Sequence, residues 1–319
     1  MKRILALFLL HIFLTAFSVF LSAEDNIVKF IVLGDTRGNM VKTKINLEFL
    51  EILKMRIVEE KPDFIFVNGD LVSGYSDKLE SQLEEWRDKF MRPLLEHDLQ
   101  VYVCRGNHDV SKGWKIHKYP EALKEWNEIF SGIFSFPENG PVNEKNLTYY
   151  VKKNNTVIFV FDNYIDKAHH KVNYKWMEKV LKNINSDKKE MKVFALCHEP
   201  AFSADHPDCL AVHKKERDDF VKTFLKNGGI FFFSGHDHFY NHAQVKTENG
   251  VFEQFICGTD GAPLKTWNEK YAEKGVENIK YLQKRGYVKV TVKNDDVKLE
   301  YIVFSPEDKT WKIEETVTR

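Results

Sequence analysis

The chain has 319 residues, with 47 Lys and Arg balanced by 47 Asp and Glu. Balanced charge excludes a net field that draws in nucleic acid or an anionic membrane, and 43% hydrophobic with 29% charged residues is the make-up of a soluble globular protein. The length suits one large domain or two modest ones and is ample for a sizeable core.

The first residues stand apart. Lys2-Arg3 precede an apolar run from Ile4 to Leu21, followed by Ser22-Ala23-Glu24-Asp25. This order predicts a secretory signal peptide, residues 1–23, cut after Ala23, and a body of residues 24–319 that is secreted or periplasmic. An uncleaved anchor is the rival, because the run approaches the length of a membrane span. His11, Thr15 and Ser18 within it, and Ser22-Ala23 at its end, favour cleavage; without a retained signal no stable membrane insertion is expected. Cleavage removes Lys2 and Arg3, leaving 45 basic and 47 acidic residues, a net of −2.

Export permits disulfides, yet Cys104, Cys197, Cys209 and Cys257 lack the spacing of a disulfide framework. Three lie in apolar strand-like runs, where cysteine serves as a small buried hydrophobe; Cys197 and Cys209 are the one pair close enough in sequence to suggest a bridge. Asn146-Leu147-Thr148 and Asn154-Asn155-Thr156 match the glycan acceptor pattern, which matters only in a eukaryotic secretory route.

Ile27 to Leu33 predicts a strand that stops at Gly34-Asp35-Thr36-Arg37-Gly38. A helix follows, with Ile45, Phe49, Ile52, Leu53 and Ile57 at helical spacing between about 41 and 59. Pro62-Asp63 leads into a second strand, Phe64 to Val67, which stops at Asn68-Gly69-Asp70. A charged helix near 77–92 leads to a third, Val101 to Cys104, which runs into Arg105-Gly106-Asn107-His108-Asp109. Three strand, acidic turn and helix units in succession indicate an α/β fold with its sites at the carboxyl ends of strands.

A helix near 121–130 precedes two runs, 148–151 and 157–161, whose polar connection predicts an antiparallel hairpin ending at Asp162-Asn163. A helix near 174–184 leads to a strand, Val193 to Cys197, that ends in His198-Glu199-Pro200. Another helix, near 214–226, leads to Gly229–Phe233 and then Ser234-Gly235-His236-Asp237-His238. The tail is β-rich (243–246, 252–257, 287–292 and 297–304) and reads as a second sheet building up, not a second domain. Residues 265–285 read as a loop with a short helix. No linker, low-complexity segment or short repeat divides the chain.

Five strands thus end in Asp35, Asp70, Asn107-His108, His198, and His236 with His238. Ionisable groups at every strand end bring no packing benefit and risk buried unpaired charge, so their coincidence points to a metal site. Oxygen and nitrogen donors without thiolate suit Mn, Fe or Zn, and two carboxylates with several imidazoles suffice for two divalent ions, one carboxylate lying between them. Such centres activate water and clamp phosphoryl oxygens, which indicates hydrolysis of a phosphate ester.

Gly34-Asp35, Gly69-Asp70, Gly106-Asn107-His108-Asp109, His198-x-Pro200 and Gly235-His236-Asp237-His238, in this order, resemble the motifs of the calcineurin-like metallophosphoesterase superfamily, close to its purple acid phosphatase branch. The resemblance implies a four-layer αββα sandwich, two mixed β-sheets face to face with helices outside. It also implies that Asp70 bridges two metals, that Asp35 and His238 hold the first, and that Asn107, His198 and His236 hold the second. His108 is then the group that stabilises developing charge or protonates the leaving oxygen, with Asp109 its orienting partner.

Three departures qualify the match. Where many members have Asp-x-His, this chain has Asp35-Thr36-Arg37, so a first-metal ligand is missing. The tyrosine that purple acid phosphatases place three residues after the bridging aspartate is replaced by Ser73, with Tyr75 out of register, so a tyrosinate-bound ferric ion is not expected. The Asp-Arg-Gly of Ser/Thr protein phosphatases after the second motif is absent too. Arg37 has two readings, a guanidinium that holds a phosphate oxygen at the site mouth, or a surface arginine paired with a nearby carboxylate. His169, His170, His206, His213 and His242 read as surface residues, and the segments after Asp162, His198 and Asp260 as pocket walls.

The expected function is hydrolysis of a phosphorylated small-molecule or macromolecular substrate by a metal-bridging hydroxide, with His108 assisting the leaving group. Alternatives are a phosphodiesterase or nucleotide pyrophosphatase with the same centre, or a degenerate metal-binding module without turnover. A metallo-β-lactamase-type centre fits poorly, because its His-x-His-x-Asp-His loop is not matched by His236-Asp237-His238-Phe239-Tyr240.

Overall fold

The computed structural model describes residues 27–75, 78–111, 119–184 and 191–319; the expected signal segment lies outside them. In chain order the strands are β1 (Ile27–Leu33), β2 (Phe64–Val67), β3 (Gln100–Val103), β4 (Tyr149–Lys153), β5 (Thr156–Val160), β6 (Lys192–Leu196), β7 (Gly229–Ser234), β8 (Tyr240–Thr247), β9 (Gly250–Cys257), β10 (Val276–Leu282), β11 (Gly286–Lys293), β12 (Asp296–Ser305) and β13 (Thr310–Thr318). The longer helices are α1 (Leu47–Glu60), α2 (Leu79–Trp86), α3 (Arg92–Glu96), α4 (Tyr119–Ile129), α5 (Tyr174–Ile184) and α6 (Lys214–Lys226). A π-helical turn at Arg87–Met91 joins α2 to α3.

The strands form two mixed sheets, ordered β13-β12-β11-β1-β2-β3 and β10-β8-β9-β7-β6-β5-β4. In the first, β1, β2 and β3 are parallel; in the second, β5, β6, β7 and β9 are parallel. The sheets meet through aromatic side chains: Phe30 of β1 lies edge-on to Phe194 of β6, ring centroids 5.1 Å apart, and 6.3 Å from Phe233 of β7. Each fully buried phenylalanine of this kind contributes about 1.5–3 kcal/mol.

The central strands are apolar without interruption because both faces are covered. In β5, Ile158 and Val160 join the core between the sheets. Val157 and Phe159 face the other way, onto Met177 and Leu181 of α5 and Phe220 and Phe224 of α6. On the far side α1 buries Phe49, Leu50, Leu53 and Ile57. The order helix, sheet, sheet, helix is the expected four-layer sandwich.

Several details depart from the sequence reading. Helix α1 starts at Leu47, not near 41, because the Asn46 side chain accepts the Phe49 N–H and caps it. The tail divides: β8, β9 and β10 belong to the second sheet, whereas β11, β12 and β13 extend the first, with β11 antiparallel to β1. Residues 265–285 hold the expected short helix, Glu269–Tyr271, but also β10. All four cysteines are free and buried, so Cys197 and Cys209 are not bridged; the Cys197 thiol donates to the Glu199 carbonyl at 3.1 Å. His242 is buried, not on the surface: Nδ1 lies 2.8 Å from Glu315 of β13, which also accepts the Tyr240 hydroxyl at 2.7 Å and so clamps one sheet to the other.

Parallel strands end at a common edge of the sandwich, and sites in open α/β sheets form there. β1, β2 and β3 deliver Asp35, Asp70 and Asn107-His108; β6 and β7 deliver His198 and His236-Asp237-His238.

Candidate metal centre

The two Gly-Asp turns after β1 and β2 are cross-linked through their backbones. Asp35 N–H donates to Gly69 O at 3.1 Å and Arg37 N–H to Asp70 O at 2.9 Å. Asp35 and Asp70 both adopt the left-handed conformation, φ 55° and 52°, as does His236 at 71°. Such conformations cost about 1–3 kcal/mol each in non-glycine residues and persist where the surroundings over-determine them. Gly106 explains the closeness of the second and third motifs: a Cβ there would lie 2.2 Å from Asp70 Oδ1.

Asp109 ties the same loops together from below. Its buried carboxylate accepts N–H groups from Leu71 (3.0 Å), Val72 (3.3 Å) and Gly106 (2.8 Å). It is therefore a loop anchor, and the partner of His108 Nδ1 is the Ser73 carbonyl, 2.6 Å away. Because a carbonyl only accepts, the His108 Nδ1 carries the proton and Nε2 faces Asp70 Oδ2 at 3.7 Å. The Tyr75 ring stands edge-on to His108 at 4.7 Å.

The residues expected around the second metal lie close together. His198 Nδ1 donates to Asn68 O at 2.7 Å, which turns the Nε2 lone pair inward. Asn107 donates Nδ2–H to the Tyr75 hydroxyl at 3.3 Å, which turns Oδ1 inward. His198 Nε2 and His236 Nδ1 lie 3.1 and 3.2 Å from that Oδ1 and 3.2 Å from each other, and Asp70 Oδ1 is 3.5 Å from His198 Nε2. The edge of a tetrahedron with metal–ligand bonds near 2.0–2.1 Å is roughly 3.3 Å, so this spacing fits an ion. Asp35, Asp70 and His198 each bring a ligand atom into a group no wider than 4.8 Å.

The acceptors turned inward call for a cation. Burial alone lowers the His236 pKa, but Asp208 and Asp237 outweigh it and raise the imidazole to about 10. Burial pushes the Asp35 carboxyl up to about 7, with Asp70 adding to the rise. For Asp70 burial acts in the same direction, but His108, His198 and Arg37 outweigh it and hold the carboxyl below its usual range.

The first-metal set is arranged differently. Asp35 Oδ1 lies 3.4 Å from His238 Nε2, but Arg37 is there as well, buried to 7% exposure rather than at the surface. Its Nε donates to Asp70 Oδ2 at 3.2 Å, Nη1 to Gly38 O at 3.1 Å, and Nη2 meets His238 Nε2 at 3.2 Å. Burial and the neighbouring guanidinium push His238 down to about 3. The residues present therefore fit an ion at the second position and not at the first.

Sequence reasoning missed His206, placing it on the surface, although the loop after His198 was read as a pocket wall. Its ring lies 4.7 Å from that of His236, Nδ1 bonds to Asp237, and Nε2 faces Lys265 Nζ at 3.0 Å. Asp205, His206 and Asp237 also cluster within 4.8 Å, but Lys265 supplies the cation there. His170 likewise is engaged, with Nδ1 2.8 Å from the buried Glu199 carboxylate.

Several solved structures resemble this chain in fold. A purple acid phosphatase isolated from yellow lupin (Lupinus luteus) seeds superposes with TM-score 0.68 at 16% identity, over 92% of this chain and 54% of its own. This chain thus spans about half of the lupin protein. A dimetal phosphatase from Danio rerio gives 0.59 at 14% identity, over 91% of this chain and 98% of its own, and GAP50 of Plasmodium gives 0.56 at 13%, over 91% and 88%. No curated protein matches by sequence. The sequence profile of the calcineurin-like phosphoesterases matches residues 28–240, a span that holds all five motifs, and the chain belongs to that family.

Proposed function

We propose that the chain is an exported, metal-dependent phosphoric ester hydrolase. The observation that carries this reading is the convergence of Asn107 Oδ1, His198 Nε2 and His236 Nδ1, at 3.1–3.2 Å from one another beside Asp70, with the opposite sides of Asn107 and His198 locked by hydrogen bonds. The Tyr75 hydroxyl and the Asn68 carbonyl hold these ligands in orientation, as the partners of metal-binding side chains do, and ligands without thiolate suit an ion of the Mn, Fe or Zn class. When bound, such an ion polarises a phosphoryl oxygen and lowers the pKa of coordinated water.

The chain's own residues supply the rest. Arg37 presents a fixed positive charge beside Asp70, where the negative charge of a phosphoryl group needs an offset. The Ser73 carbonyl orients His108 so that Nε2 faces the same side as Asp70. Burial holds the His108 imidazole down to about 4, so Nε2 starts without a proton; a phosphate dianion beside it acts in the opposite direction, and the imidazolium it favours would donate from Nε2 to the leaving alkoxide. Tyr75 stands edge-on to His108, and the Tyr164 ring lies 6.1 Å from that of His198.

The test is hydrolysis of a phosphomonoester and of its methyl diester by protein stripped with chelator and reloaded with Mn, Fe or Zn. Loss on stripping and recovery on reloading are expected. His108→Ala should keep the ion and lose turnover by roughly 10²–10⁴-fold, whereas Asn107→Ala should lose the ion. The ratio of the two ester rates assigns the monoester or diester class. Inertness toward both esters with every ion sinks the hydrolase and leaves a metal-binding module, the reading that Arg37 at the first-metal position favours.

A further inference from the structure

We propose that the Arg37 guanidinium stands in the place of the first metal, so that this chain carries one ion and one built-in organic cation. The inference rests on the metal-centre reading above and deepens it. A first ion would need Asp70 Oδ2, His238 Nε2 and Asp35 Oδ1. Two of these atoms already face Arg37: Nε donates to Asp70 Oδ2 and Nη2 to His238 Nε2, both at 3.2 Å. The donor direction at His238 is fixed, because its Nδ1 donates to the Pro263 carbonyl at 3.1 Å and leaves Nε2 as a lone pair.

The arginine is held there rather than passing through. Its third contact, Nη1 to Gly38 O at 3.1 Å, closes the guanidinium over its own turn. Its backbone N–H is bound to Asp70 O at 2.9 Å, and the residue bridges to Ile45 across the loop. Arginine does not deprotonate in proteins, so an ion entering this position would meet a full positive charge within contact distance of its own ligands. Displacing the side chain would in turn leave a buried guanidinium without partners.

Asp70 changes its role accordingly. Its Oδ1 faces the second-metal set, 3.5 Å from His198 Nε2, and its Oδ2 faces the guanidinium at 3.2 Å. The carboxylate that separates two ions in the two-metal arrangement here separates one ion from one arginine. One positive charge stands where a divalent ion would bring two, and no second ion is needed to supply it. Three of the five guanidinium N–H groups are engaged by these contacts.

The test is metal stoichiometry on the purified full chain titrated with Mn(II), by elemental analysis and by electron paramagnetic resonance. Wild type should bind one equivalent and give the signal of an isolated Mn(II) ion, and Arg37→His, which restores the Asp-x-His motif, should bind two and give an exchange-coupled pair. Two equivalents or a coupled pair in wild type overturn the proposal and leave the metal-centre reading standing. One equivalent in both proteins also overturns it, since the guanidinium is then not what keeps the second ion out. No Mn in either overturns the metal-centre reading itself. Should Arg37→His not fold, the wild-type spectrum alone decides between one ion and two.

Discussion

Replacing Arg105 with Met removes the buried ion pair that joins the two sheets directly beside the site. Arg105 follows β3 of the first sheet, and its Nε lies 2.5 Å from Asp162 Oδ2 just after β5 of the second; Nη2 also donates to Tyr164 O at 3.3 Å. The side chains are 2% and 0% exposed, so the variant leaves a carboxylate buried with only the Tyr164 N–H, at 2.7 Å, as a remaining partner. Breaking such a pair from one side costs about 3–5 kcal/mol, against a total stability of about 5–15 kcal/mol. At about 2–4 °C per kcal/mol this lowers Tm by roughly 6–20 °C. The double variant Arg105→Met with Asp162→Leu removes the unpaired charge and should recover most of that loss, about 3–5 kcal/mol. Unfolding should be followed by circular dichroism in the presence of chelator, so that metal linkage does not add to the difference. A single variant within ~2 °C of wild type, or a double variant less stable than the single, refutes the assignment of this pair as the tie between the sheets.

Gly106→Ala should abolish Mn binding while leaving a folded protein, because its Cβ must push Asp70, whose Oδ1 and N lie 2.2 and 2.4 Å from it; unchanged affinity by calorimetric titration contradicts this. Asp109→Ala should cost about 3–9 kcal/mol, from buried N–H groups of Leu71, Val72 and Gly106 left unsatisfied at about 1–3 kcal/mol each; a urea midpoint near that of wild type would show that the anchor is dispensable. The Glu60 pair gives a pH test far from the site. Burial raises the Glu60 pKa, but the Tyr287 hydroxyl at 2.9 Å, Lys289 and Arg56 outweigh it and bring it below its ordinary 4.5. A depressed carboxyl contributes stability that is present above its unfolded pKa and lost as pH falls through the folded one. Glu60→Gln should therefore lower Tm at pH 7 and converge with wild type as the pH falls below the ordinary glutamate range and through the depressed folded value; a gap that widens on acidification is the opposite sign.

The scaffold was legible because it is written in short-range pattern. Both-faces-buried strands such as Phe64 to Val67 and Val193 to Leu196 are uninterrupted apolar runs, and each stops at the residue that serves the site. Helices α5 and α6 start and end where their periodicity does. The strands that were missed, β10 and β13, are outer strands; β10 carries a bulge at Asn278–Lys280 and β13 interleaves Lys312, Glu314 and Glu315 with its few buried positions, which breaks the alternation.

Within the site, the residues that face the cleft were readable from motif order, but what holds them was not. The Ser73 carbonyl that orients His108 is a backbone atom, and any residue at that position presents one. Tyr75 is out of register by sequence, yet the left-handed turn at Gly74, φ 53°, brings its hydroxyl to Asn107. The fate of Arg37 depends on Asp35 having φ 55°, which aims the following residues back over the second strand end. Both readings of Arg37 assumed that it stood at the mouth or surface; the structure gives it a carboxylate partner inside.

Anomalous diffraction from Mn-loaded crystals locates the ion among these side chains. A peak is expected bounded by Asn107 Oδ1, His198 Nε2 and His236 Nδ1, with Asp70 at its side. A crystal with Mn at other positions and none among these four residues contradicts that placement.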